Sequence, residues 1–111
     1  MSKYKAWKSF EQELSRRLRE AGLPAKRNWS SQFETKDGID IDAGEYVFQL
    51  KYGKKPNLVG AWKEANNSKG KDQIPVVVAR WKDERNTLAV VSWKVFEDLL
   101  KLWVAVGAES E

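Results

Sequence analysis

The sequence predicts one α/β domain in which helices flank a mixed central β-sheet. Three features of the 111-residue chain support this fold class. Residues 39–43 and 46–52 alternate apolar and polar side chains, as strands with one covered face do. Residues 74–81 are almost entirely apolar and rich in β-branched residues, which is typical of a strand covered on both faces. Residues 4–21 carry apolar side chains at helical spacing, and the complete predicted element order is αβββαββα.

The first half of the chain is divided by clear turn signals. The helix at 4–21 ends at Gly22 and Pro24, because neither residue continues a helix well. Residues 25–29 form a short extended segment that a strand would fit. Ala43-Gly44-Glu45 is a tight connection, so the two alternating strands are expected to form an antiparallel hairpin.

The second half continues the sheet. Asn57 is the expected N-cap of a second helix, which gives way to a polar loop at 66–72. A right-handed crossover through this helix makes the strand at 74–81 parallel to the second strand of the hairpin. Residues 87–91 add a further antiparallel strand. The last helix, 93–104, has an apolar surface wider than one stripe, which indicates contact with another element or subunit.

Composition restricts the chemistry available to the chain. It contains no His and no Cys, which excludes disulfides, Cys-rich zinc sites, thiol nucleophiles and a Ser-His-Asp arrangement. An active site would have to use carboxylates, amides, hydroxyls, Lys or Arg, with any metal bound through oxygen. The net charge of +4 is compatible with a polyanionic partner. No apolar run reaches membrane-spanning length and the N-terminus lacks a signal-peptide pattern, so a cytosolic protein is expected.

The predicted hairpin gathers polar side chains on one surface. Ile39 and Ile41 are expected to share the apolar face of its first strand. The opposite face of the two strands carries Asp40, Asp42, Gln49 and Lys51. A carboxylate, an amide oxygen and a lysine together can hold a divalent cation beside a phosphate. The alternative is an ordinary sheet with one solvated face.

Glu11 is a second candidate for this site. At roughly 100° per residue, it projects within about 20° of Leu18 and about 40° of Trp7, at the edge of the apolar stripe, whereas Glu13 faces water. It is either a boundary residue or a carboxylate directed at the hairpin. Basic and hydroxyl side chains that could contact phosphates, or belong to ordinary solvated loops, surround the same region: Lys26, Arg27, Ser30, Ser31, Lys54, Lys55, Lys69 and Lys71.

With these pieces in order, the chain resembles the PD-(D/E)xK nuclease superfamily, and within it the small Holliday-junction resolvases of archaea and some phages. The resemblance runs from about Trp7 to Leu100. Four segments carry it: Phe10-Glu11-Gln12-Glu13-Leu14, Lys26-Arg27 with Ser30-Ser31, Gly38-Ile39-Asp40-Ile41, and Gln49-Leu50-Lys51. Gln49 departs from the Glu or Asp of most members, and the resulting Q-x-K is similar to that of Mrr-type restriction endonucleases.

The resemblance implies a restriction-endonuclease-like fold and a Mg²⁺-dependent DNA endonuclease, with Mn²⁺ as an alternative metal. Such an enzyme would resolve four-way junctions by paired nicks as a homodimer, in the cytosol of a host if the chain is phage-encoded. Asp40, Gln49 and Glu11 would hold the metal, and Lys51 would lie beside the attacking water or scissile phosphate. The basic and hydroxyl residues named above would bind the DNA backbone.

Other functions remain open from the sequence. A repair or restriction-type nuclease of the same fold would use the same site on duplex or flapped DNA. Since Gln49 removes a charge from the motif, a DNA-binding protein that has lost catalysis is a second alternative. A scaffold domain with no nucleic-acid partner is a third.

Overall fold

A computed structural model describes residues 3–27, 39–81 and 86–110 of the chain. Within those ranges the chain forms three helices and five strands in the predicted order. Their bounds are α1 Lys3–Glu20, β1 Lys26–Arg27, β2 Ile41–Ala43, β3 Tyr46–Gly53, α2 Leu58–Ser68, β4 Ile74–Trp81, β5 Thr87–Val90 and α3 Trp93–Ser110.

The strands form one mixed sheet in the order β1-β2-β3-β4-β5. Strands β3 and β4 are parallel, and α2 connects them, whereas the other neighbours are antiparallel. The predicted hairpin, the parallel crossover and the antiparallel last strand are therefore confirmed. The register places Gln49 beside Val77 and Lys51 beside Ala79, so the central polar positions of β3 lie next to the buried central residues of β4.

The two faces of the sheet are covered by different helices. Phe10 and Leu14 of α1 pack with Ile41, Phe48 and Leu50 in the main core cluster. This follows from strand alternation, because even-numbered residues of β3 point to the α1 side.

The opposite face of β3 belongs to α2. Val47 packs there with Ala65 and Ile39, and Ala61 is also buried. Gln49 lies on the same side of β3 as Val47, so α1 and α2 approach the polar end of the hairpin from opposite faces.

Three expectations about the bounds and facing of strands and helices need correction. Ile39 does not share a face with Ile41, because β2 begins only at Ile41 and alternation holds only within the paired strand. The polar loop begins later than residue 66, since the Lys69 N–H still donates to the Ala65 carbonyl at 2.9 Å and α2 continues to Ser68. The last helix continues past residue 104 to Ser110.

Glu13 was expected to face water, but it binds Arg80 of β4. The guanidinium donates to both carboxylate oxygens, at 2.7 and 3.3 Å, and its Nε donates to Thr87 at 2.9 Å. The same group stacks 4.7 Å above the Phe10 ring. These hydrogen bonds lower the pKa of Glu13, and the contact fastens α1 to the sheet across 67 residues of sequence.

Local caps and turns agree with their sequence signals. The Asn57 side chain accepts a hydrogen bond from Gly60 N at 3.0 Å, as an N-cap does. Gly44 has φ +79° in the hairpin turn, and its N–H donates to the Asp42 carboxylate at 3.0 Å. Asp42 is therefore engaged in the turn.

In the described part of the chain, no helix is both long and apolar enough to cross a membrane.

Candidate functional site

The candidate site is centred on Asp40, directly before β2. Its backbone N–H donates to the Phe48 carbonyl at 2.8 Å. Its carboxylate then accepts from the Leu50 N–H at 2.8 Å. The side chain of Asp40 thus takes the place of a strand carbonyl at the edge of β3, which fixes it where regular pairing between β2 and β3 ends.

Asp40 is surrounded by other charged groups. Burial, together with the negative charges of Glu11 and Glu64, raises its pKa from 3.8 to about 6. The Leu50 N–H and the positive charge of Lys51 act in the opposite direction. Carboxylates from α1 and α2 and the ammonium group of β3 are therefore close enough to influence one carboxyl group.

Glu11 reaches this region from α1. It is 6% exposed, which is far more buried than a boundary residue of the helix would be. Arg27 of β1 donates from its Nε to the Glu11 carboxylate and is itself mostly buried. A buried carboxylate needs such a partner, because an unpaired charge in the interior is costly. The structure thus places Arg27 against an acidic side chain.

Gln49 contacts Glu64 of α2, a residue that was not predicted from the sequence. Gln49 is 6% exposed, and its Nε2 donates a long hydrogen bond of 3.5 Å to Glu64 of α2. Glu64 therefore supplies a carboxylate beside the position where the resemblance leads one to expect Glu or Asp. Helical phase contained the signal, since Glu64 projects about 60° from the buried Ala61 and so borders the packed face of α2.

The predicted lysines that follow β3 and those that follow α2 lie at opposite ends of β3. Lys51 is half-buried on β3, and Lys54 and Lys55 are exposed immediately after that strand. Lys69 and Lys71 follow α2, next to the start of β4, which pairs with the start of β3. At about 3.3 Å per residue, the length of β3 separates these two lysine pairs by roughly 23 Å.

Lys26 and Arg27 form β1, at the edge of the sheet. Lys26 is exposed and pairs with Asp42 in the β1–β2 ladder. Ser30 and Ser31 lie outside the described residues, so their predicted role stays a prediction.

The donor chemistry suits a hard divalent cation. Asp40, Glu11, Glu64 and Gln49 offer only oxygen ligands of the kind that Mg²⁺ prefers. In residues 3–27, 39–81 and 86–110, no three acidic side chains converge as a group that could hold a metal. Mg²⁺ usually binds through one or two carboxylates plus water and substrate phosphates. The residues present fit that open mode of binding, with Asp40 as its centre.

The chain matches no family model, and no curated protein or solved structure is significantly similar to it.

Proposed function

We propose that the chain is a metal-dependent endonuclease that cleaves phosphodiester bonds in branched DNA. In this proposal it has a restriction-endonuclease-like fold and resolves four-way junctions by paired nicks as a homodimer. The element order αβββαββα around a mixed sheet supports the fold assignment.

One observation carries the proposal. The Asp40 carboxylate is fixed by the Leu50 N–H at 2.8 Å and is partly buried, with Glu11 and Glu64 as charged neighbours and Lys51 opposing them, and this environment raises its pKa to about 6. Strongly shifted groups with specific charged neighbours are typical of functional sites. The order of these residue types along the chain is also that of the resemblance, with Glu64 as an added carboxylate.

Each side chain would have a defined task. Asp40 and Glu11 would hold Mg²⁺, or Mn²⁺, with Gln49 as a neutral oxygen ligand and Glu64 beside it. When bound, the metal would neutralise phosphoryl oxygens and lower the pKa of a bound water. Lys51 would orient the attacking water and stabilise the negative charge that develops on the phosphate.

The DNA backbone would be held by groups around this site. Lys54 and Lys55 follow Lys51 directly and are exposed, so they would contact phosphates next to the scissile one. Lys26 and Arg27 would extend this contact at the β1 edge, and Lys69 and Lys71 would reach a more distant backbone segment. Ser30 and Ser31 are proposed as further phosphate contacts from the sequence alone. Because such contacts release counterions, binding should weaken steeply with salt.

The proposal is tested by cleavage of a four-way junction with Mg²⁺. Asp40→Asn and Lys51→Ala should abolish cleavage while junction binding survives. The matched controls are Asp42→Asn and Lys101→Ala, which should keep activity. Asp42 is exposed and its carboxylate is bonded within the turn, and Lys101 is an exposed lysine of α3. Cleavage that persists in both Asp40→Asn and Lys51→Ala would show that the site is wrongly assigned.

The substrate is tested by comparing the junction with a linear duplex of the same sequence. Symmetric paired nicks on the junction alone support a resolvase. Equal cleavage of both substrates supports the repair or restriction-type alternative with the same catalytic residues.

The neutral amide of Gln49 favours a second candidate, a DNA-binding protein without catalysis. Mg²⁺ binding separates the two. At ten times its dissociation constant, Mg²⁺ should stabilise an enzyme by about 1.4 kcal/mol. Gln49→Glu should tighten metal binding if this residue is a ligand. If Mg²⁺ leaves the melting temperature unchanged and DNA is bound but not cleaved, the binding protein is the better description.

A further inference from the structure

Helix α3 exposes an apolar surface that the rest of the described chain does not cover. Among the described residues, α3 makes no extended packing contact with another helix or strand, and residues 98–107 are all exposed. Eight large apolar side chains of this helix are exposed by 41 to 78%: Trp93, Phe96, Leu99, Leu100, Leu102, Trp103, Val104 and Val106.

This surface is large enough to form a stable dimer. At roughly 150 Å² for a large side chain, the exposed fractions amount to about 700 Å². A standard protein interface buries about 800 Å² on each partner. Isolated exposed hydrophobic residues are common, but a contiguous patch of this size marks an interaction surface.

The charges of α3 favour a second copy of the chain over a membrane or a charged partner. Lys94 lies 3.1 Å from Asp98 and 3.9 Å from Glu97, which Lys101 also approaches to 3.9 Å. The polar side of α3 is thus neutralised within the helix. A helix that binds anionic membranes carries excess Lys and Arg there, and α3 does not.

The apolar arc is too wide for one helix contact. At roughly 100° per residue it extends over about 200°, with Phe96, Leu99, Leu100 and Trp103 along its centre.

A second surface is available beside the first turn of α3. This is a groove of about 360 Å³ between α2 and β5, whose lining includes Val59 and Val91. In an antiparallel pair, the last turns of one helix lie beside the first turns of the other, and therefore beside this groove.

We propose that α3 is a dimerisation helix. Two copies pair antiparallel through the centre of the apolar arc, and the C-terminal half of each helix packs into the α2–β5 groove of the partner. This isologous contact is self-complementary. The dimer inference deepens the proposed function. It rests on that function only for the claim that the dimer carries two nuclease sites.

Light scattering after size exclusion tests the dimer without using cleavage. The wild type should have twice the mass of one chain, whereas Trp103→Glu should be monomeric. Val59→Glu should weaken the dimer through the groove. Ala105→Glu is the matched control, since Ala105 lies on the polar side of α3, and it should remain dimeric. Circular dichroism should show all variants folded.

Cross-linking tests the antiparallel geometry, because the chain has no natural cysteine. Leu100→Cys, near the helix centre, should form an intermolecular disulfide on oxidation, and Ala105→Cys should not. If Phe96→Cys and Trp103→Cys each form an intermolecular disulfide as readily as Leu100→Cys, the helices pair in parallel and the proposed geometry is overturned.

A monomeric wild type, or a dimer unaffected by Trp103→Glu, would overturn the inference. A monomer that binds neutral lipid vesicles through α3 would instead identify a membrane partner. A dimer without nuclease activity would support this inference and contradict the proposed function.

Discussion

Replacing Asp40 by Asn should stabilise the protein at neutral and alkaline pH. The substitution keeps an oxygen that can accept the Leu50 N–H bond and removes the negative charge. That charge is unfavourable in the folded state, because burial, Glu11 and Glu64 all raise the pKa of Asp40. A carboxylate whose removal stabilises the fold is one that folding alone does not require.

The magnitude follows from the pKa. The value rises from 3.8 to about 6 on folding, and each unit corresponds to about 1.36 kcal/mol. The folded state therefore binds this proton more tightly than the unfolded chain does. The contribution of Asp40 to stability is fully present below the unfolded value and is lost as pH rises through 6, by about 3 kcal/mol in full. Solvent screening at this half-buried position lowers the expected gain for Asp40→Asn to about 2 kcal/mol.

Thermal unfolding by circular dichroism, with a chelator present, measures this gain. For a domain of this size, about 2 kcal/mol raises the melting temperature by roughly 10 °C. Asp40→Asn should show the increase near pH 8 and little of it near pH 4. Asp42→Asn is the matched control, because its carboxylate is exposed and bonded to Gly44, and it should change the melting temperature little at either pH. A destabilised Asp40→Asn, or a gain equal at both pH values, would refute the reasoning.

Three further changes test the packing around the site. Arg27→Ala should lower the free energy of unfolding by about 3–5 kcal/mol in urea, because Glu11 is left buried without this partner, and adding Glu11→Gln should recover part of the loss. Glu13→Gln should cost about 1 kcal/mol at pH 7, since the carboxylate paired with Arg80 is about one-third exposed. The pKa of Glu13 is lowered from 4.5, so this difference is present above pH 4.5 and should disappear as pH falls through the folded value. Gly44→Ala should cost about 1–2 kcal/mol because φ there is +79°, and Gly44→Asn should cost less in the same urea titration.

The element order was predictable because its signals are local. The alternation of 46–52, the apolar run at 74–81 and the cap at Asn57 each depend on a few neighbouring residues. The parallel pairing followed because a strand, helix and strand in succession have one strongly preferred crossover. The wide apolar surface of α3 was also visible from sequence, although periodicity does not distinguish an internal contact from contact with a second chain.

The details of the site were less predictable because they depend on where strand pairing stops. Strict alternation placed Ile39 with Ile41, but β2 begins one residue after Asp40, and the Asp40 side chain continues the hydrogen bonding along β3. Contact between Glu13 and Arg80 was also not predictable, because these residues are 67 positions apart and only the tertiary fold brings them together. Glu64 was predictable from sequence, because helical phase places it about 60° from Ala61, at the border of the packed face of α2.

The buried Arg27–Glu11 pair places a specific demand on the proposed chemistry. Without DNA, the guanidinium offsets a carboxylate that also raises the pKa of Asp40. A phosphate that binds Arg27 would compete with Glu11 for this positive charge, and would add negative charge beside carboxylates that already disfavour one another. Another cation must then balance Glu11 and Asp40, and a divalent metal between these carboxylates and the phosphate would do so. DNA and metal should therefore bind with positive cooperativity, which is measurable as tighter DNA binding by the wild type in Ca²⁺ than in a chelator, and which Glu11→Gln should reduce.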